Sequence, residues 1–407
     1  MTRIELVEYV PLPGVRVSPG QAAALAACEL VSMRPDSGGS WTLTADRGLV
    51  GAVHVGHKDA SVELRVAPKL PIRRLFFLLG YAQHGLHWHR HPVDSHEHTD
   101  LLPAIASAFA RMADRALTRG VLLGYRTVEE ALPVVRGRLR ESEQIRRRFG
   151  ALLPVEVVYD DYTPDTPENR ILLAAARRLL RLPRLDGTAR ALLHRVVHRL
   201  DGVTALVAGQ PLPEWRASRL NARYRAPLGL AELVLRGGSY ELDQARTLRA
   251  EGLVLRMWQV YEDFLTRALT DALHPYGGHC ASQDTRHHLD RARAMPLRPD
   301  LLYYRQSPDG RPMPAAVADA KYKTARTGGT DSDVYQMLAY CTALDLAEGH
   351  LIYASGPEAG PRAHHINGGT RIAVHQHVLD LDRAPGEVLA QIAHIAERMR
   401  DGAVQRA

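Results

Sequence analysis

Asp300, Asp319 and Lys321 are the residues of this chain whose types and spacing fit a joint chemical task. Asp300 follows Pro299 at the head of the apolar run Leu301-Leu302-Tyr303-Tyr304, and Asp319-Ala320-Lys321 closes a second apolar run a short loop later. Side chains alternate along a strand, so Asp319 and Lys321 share one face while Ala320 points the other way. The intervening Gln306-Ser307-Pro308-Asp309-Gly310-Arg311-Pro312 is rich in turn formers and predicts a hairpin that sets Asp300 beside Asp319. Metal-assisted phosphodiester hydrolysis uses this set of groups. A Mg2+ ion keeps several waters and takes one or two carboxylates plus phosphate oxygens. Asp300, Asp319 and the backbone carbonyl of Ala320 are therefore the expected metal ligands. Lys321 is placed to orient or activate the attacking water and to offset charge developing on the phosphate. Lysine suits that place better than arginine because it is compact and its pKa is readily tuned.

The elements around these residues must hold them in register. Upstream, the pattern predicts a long helix over Leu253–Leu269 with Leu255, Trp258, Tyr261 and Leu265 on its core face. Glu262 on that helix is either a third carboxylate reaching the metal or a surface residue. Downstream, Gln336 and Tyr340 are four apart on a second helix and share a face, where they would position DNA or the carboxylates. A D-x-K triplet alone marks a solvated strand end as readily as a site. The ordered combination of Pro-Asp, D-x-K and helical Q-x-x-x-Y is what favours chemistry. Strands at His350–Ala354 and Arg371–His375 and a helix over Pro385–Arg400 complete an α/β domain over residues 245–407.

The fold class expected for the whole chain is α+β and multidomain. Trp41–Thr44, Leu49–Val55 and Val62–Val66 are short, alternating and β-branched, so residues 1–95 read as a β-rich N-terminal domain, expected to dock a partner. The run Ile72–Tyr81 switches to a helical pattern. Residues 96–244 read as a mainly helical middle region, with helices at Leu101–Leu117 and Leu172–Leu182. The second has a start signal in Thr166, Pro167 and Glu168.

At 407 residues, 45% hydrophobic and 24% charged, the chain is long enough for two or three folded domains and is not a disordered polyelectrolyte. Its net charge of +7 favours an anionic partner without proving nucleic-acid binding. Cys28, Cys280 and Cys341 are odd in number and scattered, which points to a reducing compartment. With no signal-peptide pattern and no apolar stretch of membrane-spanning length, the expectation is a cytoplasmic protein with no membrane association.

The set Pro299-Asp300, Asp319-Ala320-Lys321 and Gln336-Met337-Leu338-Ala339-Tyr340 resembles the PD-(D/E)xK nuclease superfamily in its RecB-like branch. More narrowly, the chain resembles the McrC family, the nuclease subunits of McrBC restriction systems directed at 5-methylcytosine. Gly48–Gly56 with Val62–Leu70 is similar to that family's N-terminal strands, which close on a Pro-Lys, here Pro68-Lys69. Tyr159–Arg170 is similar to its central D-x-P-x-N-R segment, and Asp333–Tyr340 to its late helix. The resemblance implies that residues 245–407 form a PD-(D/E)xK restriction-endonuclease-like domain. It also implies a Mg2+-dependent endonuclease subunit of a modification-dependent, antiviral restriction complex acting on methylated double-stranded DNA. A McrB-like AAA+ GTPase ring would be the partner, stimulated by this chain and using the GTP. The sequence contains no G-x-x-x-x-G-K-[ST] motif, so no Walker-type loop is expected here. The alternatives are a stand-alone RecB-like repair or recombination nuclease and a non-catalytic activator of a ring NTPase.

Arg136, Arg138 and Arg140, continuing to Arg146, Arg147 and Arg148, read either as contacts to phosphates or an acidic partner, or as a solvated helix flank tempered by Glu141 and Glu143. His84, His87, His89, His91, His96 and His98 sit in no recognised ligand frame and read as surface or packing histidines. Asn169 and Arg170 match the family pattern, with their role left open.

Overall fold

The computed structural model describes residues 2–84, 101–236, 251–322, 331–355, 362–367 and 372–404, apart from 29, 46, 47, 57–59, 183, 184, 208, 209 and 308. The protein is a mixed α+β chain in two compact units, residues 1–102 with 237–407, and 103–236. The sequence reading set residues 1–95 apart from 245–407, whereas in the structure they share the first unit.

That unit begins with β1 (Thr2–Val7), β2 (Leu12–Val15), α1 (Pro19–Ala27), β3 (Ser32–Pro35), β4 (Trp41–Thr44), β5 (Leu49–Val55), β6 (Val62–Ala67) and α2 (Ile72–His84). Ser18 caps α1 by accepting from the Gln21 N–H, and Gln21 returns the bond to the Ser18 backbone. Alternation in β6 buries Val62, Leu64 and Val66 on one face, as a half-buried strand requires. Strands β1 and β6 pair in parallel, β6 and β5 antiparallel.

The second unit contains α3 (Leu101–Leu117), β7 (Gly124–Leu132), β8 (Arg138–Leu139), α4 (Glu141–Arg148), β9 (Val155–Thr163), α5 (Pro167–Leu179), α6 (Gly187–Arg199) and α7 (Arg225–Arg236). The expectation of a mainly helical region missed its three-stranded sheet, ordered β7-β9-β8. Alternating β-branched and aromatic residues in Val155-Glu156-Val157-Val158-Tyr159 carry the signal that favours a strand there. Helix α5 starts where its signals place it, with the Thr166 hydroxyl accepting from the Asn169 N–H.

The chain returns to the first unit with β10 (Glu251–Arg256), α8 (Met257–Leu273), β11 (His279–Ser282), β12 (Leu301–Gln306), β13 (Pro312–Lys321), α9 (Asp331–Leu344), β14 (Glu348–Ser355), β15 (Arg362–His365), β16 (Ala373–Asp380) and α10 (Pro385–Val404). The helix expected from Leu253 begins only at Met257, because Leu253-Val254-Leu255 pairs antiparallel with β5 instead. A short apolar run fits strand or helix, and here an open sheet edge decides it. Trp258, expected in the core, falls in the first helical turn and is 45% exposed, while Val260, Tyr261 and Phe264 form the buried face.

The large sheet runs β11-β12-β13-β14-β16-β15, with β13, β14 and β16 parallel and the other pairings antiparallel. Leu302, Tyr304, Val317, Leu351, Tyr353 and Val374 face α9 in one buried cluster with Met337, Tyr340 and Cys341. Gly349 permits that close packing: a Cβ there would lie 2.5 Å from the Met337 sulfur. Alternation then puts Asp319 and Lys321 on the α9 face, beyond Val317.

The N-terminal segment fastens the far end of β13. Tyr322 donates its hydroxyl to Glu8 Oε2 at 3.0 Å, and Tyr9 donates to the Tyr322 carbonyl at 3.2 Å. Lys69, of the Pro-Lys pair noted in sequence, donates Nζ to the Ala354 carbonyl at 3.2 Å and lies 4.2 Å from the Tyr322 ring centroid. Burial raises the Glu8 pKa and lowers that of Lys69, and each charge partly counters the shift of the other.

On the opposite face of the sheet, His350, His375 and His377 are buried and their rings lie together, with His350 Nδ1 and His377 Nε2 3.0 Å apart. Burial, reinforced by the neighbouring histidines, pushes His350 well below its usual value and His377 down to about 4. A histidine with a depressed folded-state pKa stays neutral while the unfolded chain takes up a proton. Stability is therefore full above pH ~6.5 and is lost as pH falls toward ~4, where His377 alone costs roughly 3 kcal/mol. Urea unfolding between pH 7 and 4 will show this loss, and His377→Gln will flatten it; an unchanged pH slope in the variant would refute the assignment.

Candidate functional site

The site is assembled by one hairpin and two helices. Strands β12 and β13 pair so that Leu301 lies opposite Ala318, which brings Asp300 to the level of Asp319. The Ala320 N–H donates to Asp300 Oδ2 at 2.8 Å, locking the two strand ends together. Lys321 Nζ lies 2.5 Å from Asp319 Oδ2 and 3.8 Å from Asp333 Oδ1, and donates to Gln336 Oε1 at 2.9 Å. Gln336 in turn donates to the Tyr340 hydroxyl at 3.0 Å, and Tyr340 donates to the Arg298 carbonyl at 3.2 Å. The helical Q-x-x-x-Y thus meets the lysine and the start of β12, rather than the carboxylates the sequence suggested.

Glu262, one residue past the buried Tyr261 on α8, joins the group through Gln283. The Gln283 amide donates to Glu262 Oε1 and, at 2.8 Å, to Asp300 Oδ1, while its own carbonyl accepts from Arg298 Nε at 2.5 Å. Gln283 holds φ at +50°, a conformation L residues rarely adopt. Gln283, Arg298 and Asp333 are the residues the sequence reading did not single out. Asp333 accepts from the Tyr353 hydroxyl at 3.1 Å.

Electrostatically the site is a set of crowded carboxylates. Asp319 is only 4% exposed, and burial raises its pKa against the pull of Lys321. Burial first, then Asp319 and Glu262, push Asp300 up to about 7. Burial likewise raises Glu262. Such a group is short of positive charge. Among the described residues no three His, Cys, Asp or Glu side chains surround a common metal position. Two carboxylates with a carbonyl and waters suffice for Mg2+. Asp300, Asp319 and the Ala320 carbonyl fit that requirement, and the excess negative charge fits a cation.

The basic run lies in the second unit and is mostly paired. Arg136 bonds Asp161 at 2.9 Å, Arg140 Glu129 at 2.7 Å and Arg148 Glu156 at 3.2 Å, while Arg146 and Arg147 both meet Glu143. Arg138 is exposed in β8. Asn169 is buried and donates to the Leu122 and Pro164 carbonyls at 2.7 and 2.6 Å. Arg170 clasps Asp165, which also accepts from Thr204 and Arg126, so the D-x-P-x-N-R segment knots its own unit together. His84 ends α2, and His87, His89, His91, His96 and His98 lie outside the described residues. Cys28, Cys280 and Cys341 form no disulfide, and no helix among the described residues is long and apolar enough to cross a membrane.

This architecture is that of a mixed α+β protein whose large sheet ends in carboxylates and a lysine. The sequence matches the McrBC family, described as a 5-methylcytosine restriction system component, over residues 45–354. The chain belongs to this family, in keeping with the resemblance to McrC, and the matched span includes the strands, central segment, hairpin and late helix on which that resemblance rests. A chain in the half-complex from a tetradecameric assembly of Thermococcus gammatolerans McrB AAA+ hexamers with bound McrC is 18% identical, with a TM-score of 0.54 over 98% of this chain and 100% of that one. A chain of the T. gammatolerans McrBC complex is 22% identical, with a TM-score of 0.42 over 67% of this chain and 88% of that one. The first likeness bears on the fold alone. No curated protein matches the sequence.

Proposed function

We propose that this protein is the Mg2+-dependent DNA endonuclease subunit of a McrBC-type, modification-dependent restriction complex, with a PD-(D/E)xK active site in its C-terminal region. The observation that carries the reading is the meeting of Asp300, Asp319 and Lys321 on adjacent strands, with Gln336 holding the lysine. Asp300, Asp319 and the Ala320 carbonyl would hold the ion, which supplies Lewis-acid activation of water and phosphate when bound. Lys321 steers the attacking water and balances charge on the phosphate. Gln336 and Tyr340 fix the ammonium against the strand end, and Glu262 reaches the same carboxylate group through Gln283. Family membership supports a cytoplasmic complex with a McrB-like AAA+ GTPase ring that this chain stimulates, and methylated double-stranded DNA as substrate.

The test is cleavage of methylated and unmethylated plasmid by the full chain, with and without the partner ring and GTP. Cleavage of methylated plasmid that requires partner, GTP and Mg2+ is the expected result. Cleavage by the chain alone would instead favour a stand-alone nuclease. GTPase stimulation with no cleavage under any condition would leave only an activator.

A further inference from the structure

Between β11 and β12 the chain leaves the sheet as a narrow two-stranded arm, residues 284–297. The Leu289 N–H donates to the Met295 carbonyl at 2.9 Å, and the Leu297 N–H to the His287 carbonyl at 2.8 Å, with His288 bridging Pro296. Asp290 closes the tip by accepting from the Met295 and Ala294 N–H groups at 2.8 and 3.2 Å. The base is fixed by a buried carboxylate. Asp284 accepts from the Tyr304 hydroxyl at 2.7 Å and pairs with Arg286 at 2.6 Å, and His287 Nε2 lies 2.7 Å from the same hydroxyl. The arm is therefore a built projection, held to the sheet by Tyr304.

Both ends of the arm run into the carboxylate group. Gln283, just before it, bridges Glu262 and Asp300, and Arg298, just after it, bonds Gln283. The tip carries Arg291 and Arg293, both exposed, and no described hydrogen bond or ion pair engages either guanidinium. Arg286 is paired with Asp284, and the Asp290 carboxylate is held by backbone N–H groups, so the tip presents two guanidinium groups without a carboxylate partner and an excess of positive charge over Asp290. The arginines of the run in the second unit mostly have carboxylate partners. Arginine is suited to phosphate oxygens by its planar fork of donors.

We propose that this arm is a DNA-backbone contact, with Arg291 and Arg293 engaging phosphates of the duplex held at the adjoining carboxylate site. The inference rests on the nuclease reading of the adjoining site and adds where the duplex is held. The occupant is the phosphate backbone of a DNA duplex, and an acidic protein surface is the rival.

The experiment measures binding of the full chain to a short labelled duplex by fluorescence anisotropy, in EDTA and over a series of salt concentrations. Each phosphate contact steepens the fall of log affinity with log salt by about 0.9. Arg291→Ala with Arg293→Ala should make the slope shallower by about two units. Arg291→Lys with Arg293→Lys should retain it, because the charges remain. An unchanged slope in the alanine variant overturns the proposal, as does a wild-type chain that binds no duplex. Loss of affinity for the GTPase ring with an intact DNA slope would assign the arm to a protein partner and overturn it equally. Plasmid cleavage run in parallel separates the two ideas. Binding that depends on the arm without any cleavage would remove the nuclease reading and leave the arm as a DNA contact with no chemistry beside it.

Discussion

Lys321→Ala should lower the single-turnover rate of DNA cleavage by about a hundred- to a thousandfold, the scale lost when one preorganised charge-stabilising donor is removed. The geometry gives the reason. The ammonium lies 2.5 Å from Asp319 and is held by Gln336 at 2.9 Å, so its position is fixed before any substrate arrives. The same contact predicts a stability effect that separates a missing catalytic group from a misfolded protein. In EDTA the variant leaves a buried Asp319 without its cation, which costs about 3–5 kcal/mol. Mg2+ at the proposed site should take over that compensation, so that the unfolding temperature returns toward wild type while cleavage does not. Lys321→Arg keeps the charge but swaps a compact ammonium for a planar fork, so it should recover stability in EDTA and little of the rate. Undiminished cleavage by both Lys321→Ala and Asp319→Ala would sink the site assignment.

What the sequence disclosed about this site follows from how its parts are encoded. Asp300, Asp319 and Lys321 are set by strand alternation and a turn-rich loop, both local, and the hairpin register agrees with them. Gln336 and Tyr340 are set by helical spacing, again local. Gln283 was not legible, because a glutamine in a polar loop carries no periodic signal. Its role appears only once β11 has paired with β12 and turned its amide between two carboxylates. The arm is similar: its short rungs are set by Tyr304 and Asp284, twenty residues apart in the chain. Strand β10 shows the limit of periodicity itself. Leu253, Val254 and Leu255 satisfy a helical and an extended pattern alike, and the open edge of β5, far away in sequence, chooses. Lys69 was visible as part of a motif, yet its contact with the Ala354 carbonyl across the sheet end was not. The sequence reported chemistry where one element carries it and fell silent where two distant elements share it.

Asp300→Asn should end the response to Mg2+ while making the metal-free protein more stable. Asp300, Asp319 and Glu262 are carboxylates crowded at one sheet end, and burial together with that crowding pushes Asp300 up to about 7. In the metal-free protein the set repels itself, and among the described residues Lys321, Arg298, Gln283 and the Ala320 N–H ease it. Asparagine removes one member of the repelling set. Its side-chain oxygen can still accept the Ala320 N–H, and the Gln283 amide loses this acceptor but keeps Glu262, a smaller cost than the repulsion relieved. The unfolding temperature in EDTA should therefore rise by about a few degrees, the change expected for a gain of about 1 kcal/mol. Wild type should gain about 2.7 kcal/mol when Mg2+ reaches a hundred times its dissociation constant, and the variant almost none. Thermal unfolding of both proteins with and without Mg2+ reads the two effects directly. A variant still stabilised by Mg2+ to the wild-type extent would show that the ion, if it binds, is held elsewhere. Because a purely structural aspartate predicts a loss of stability on this substitution, a rise paired with a lost metal response is the signature of a residue kept at a cost to the fold for the ion it holds.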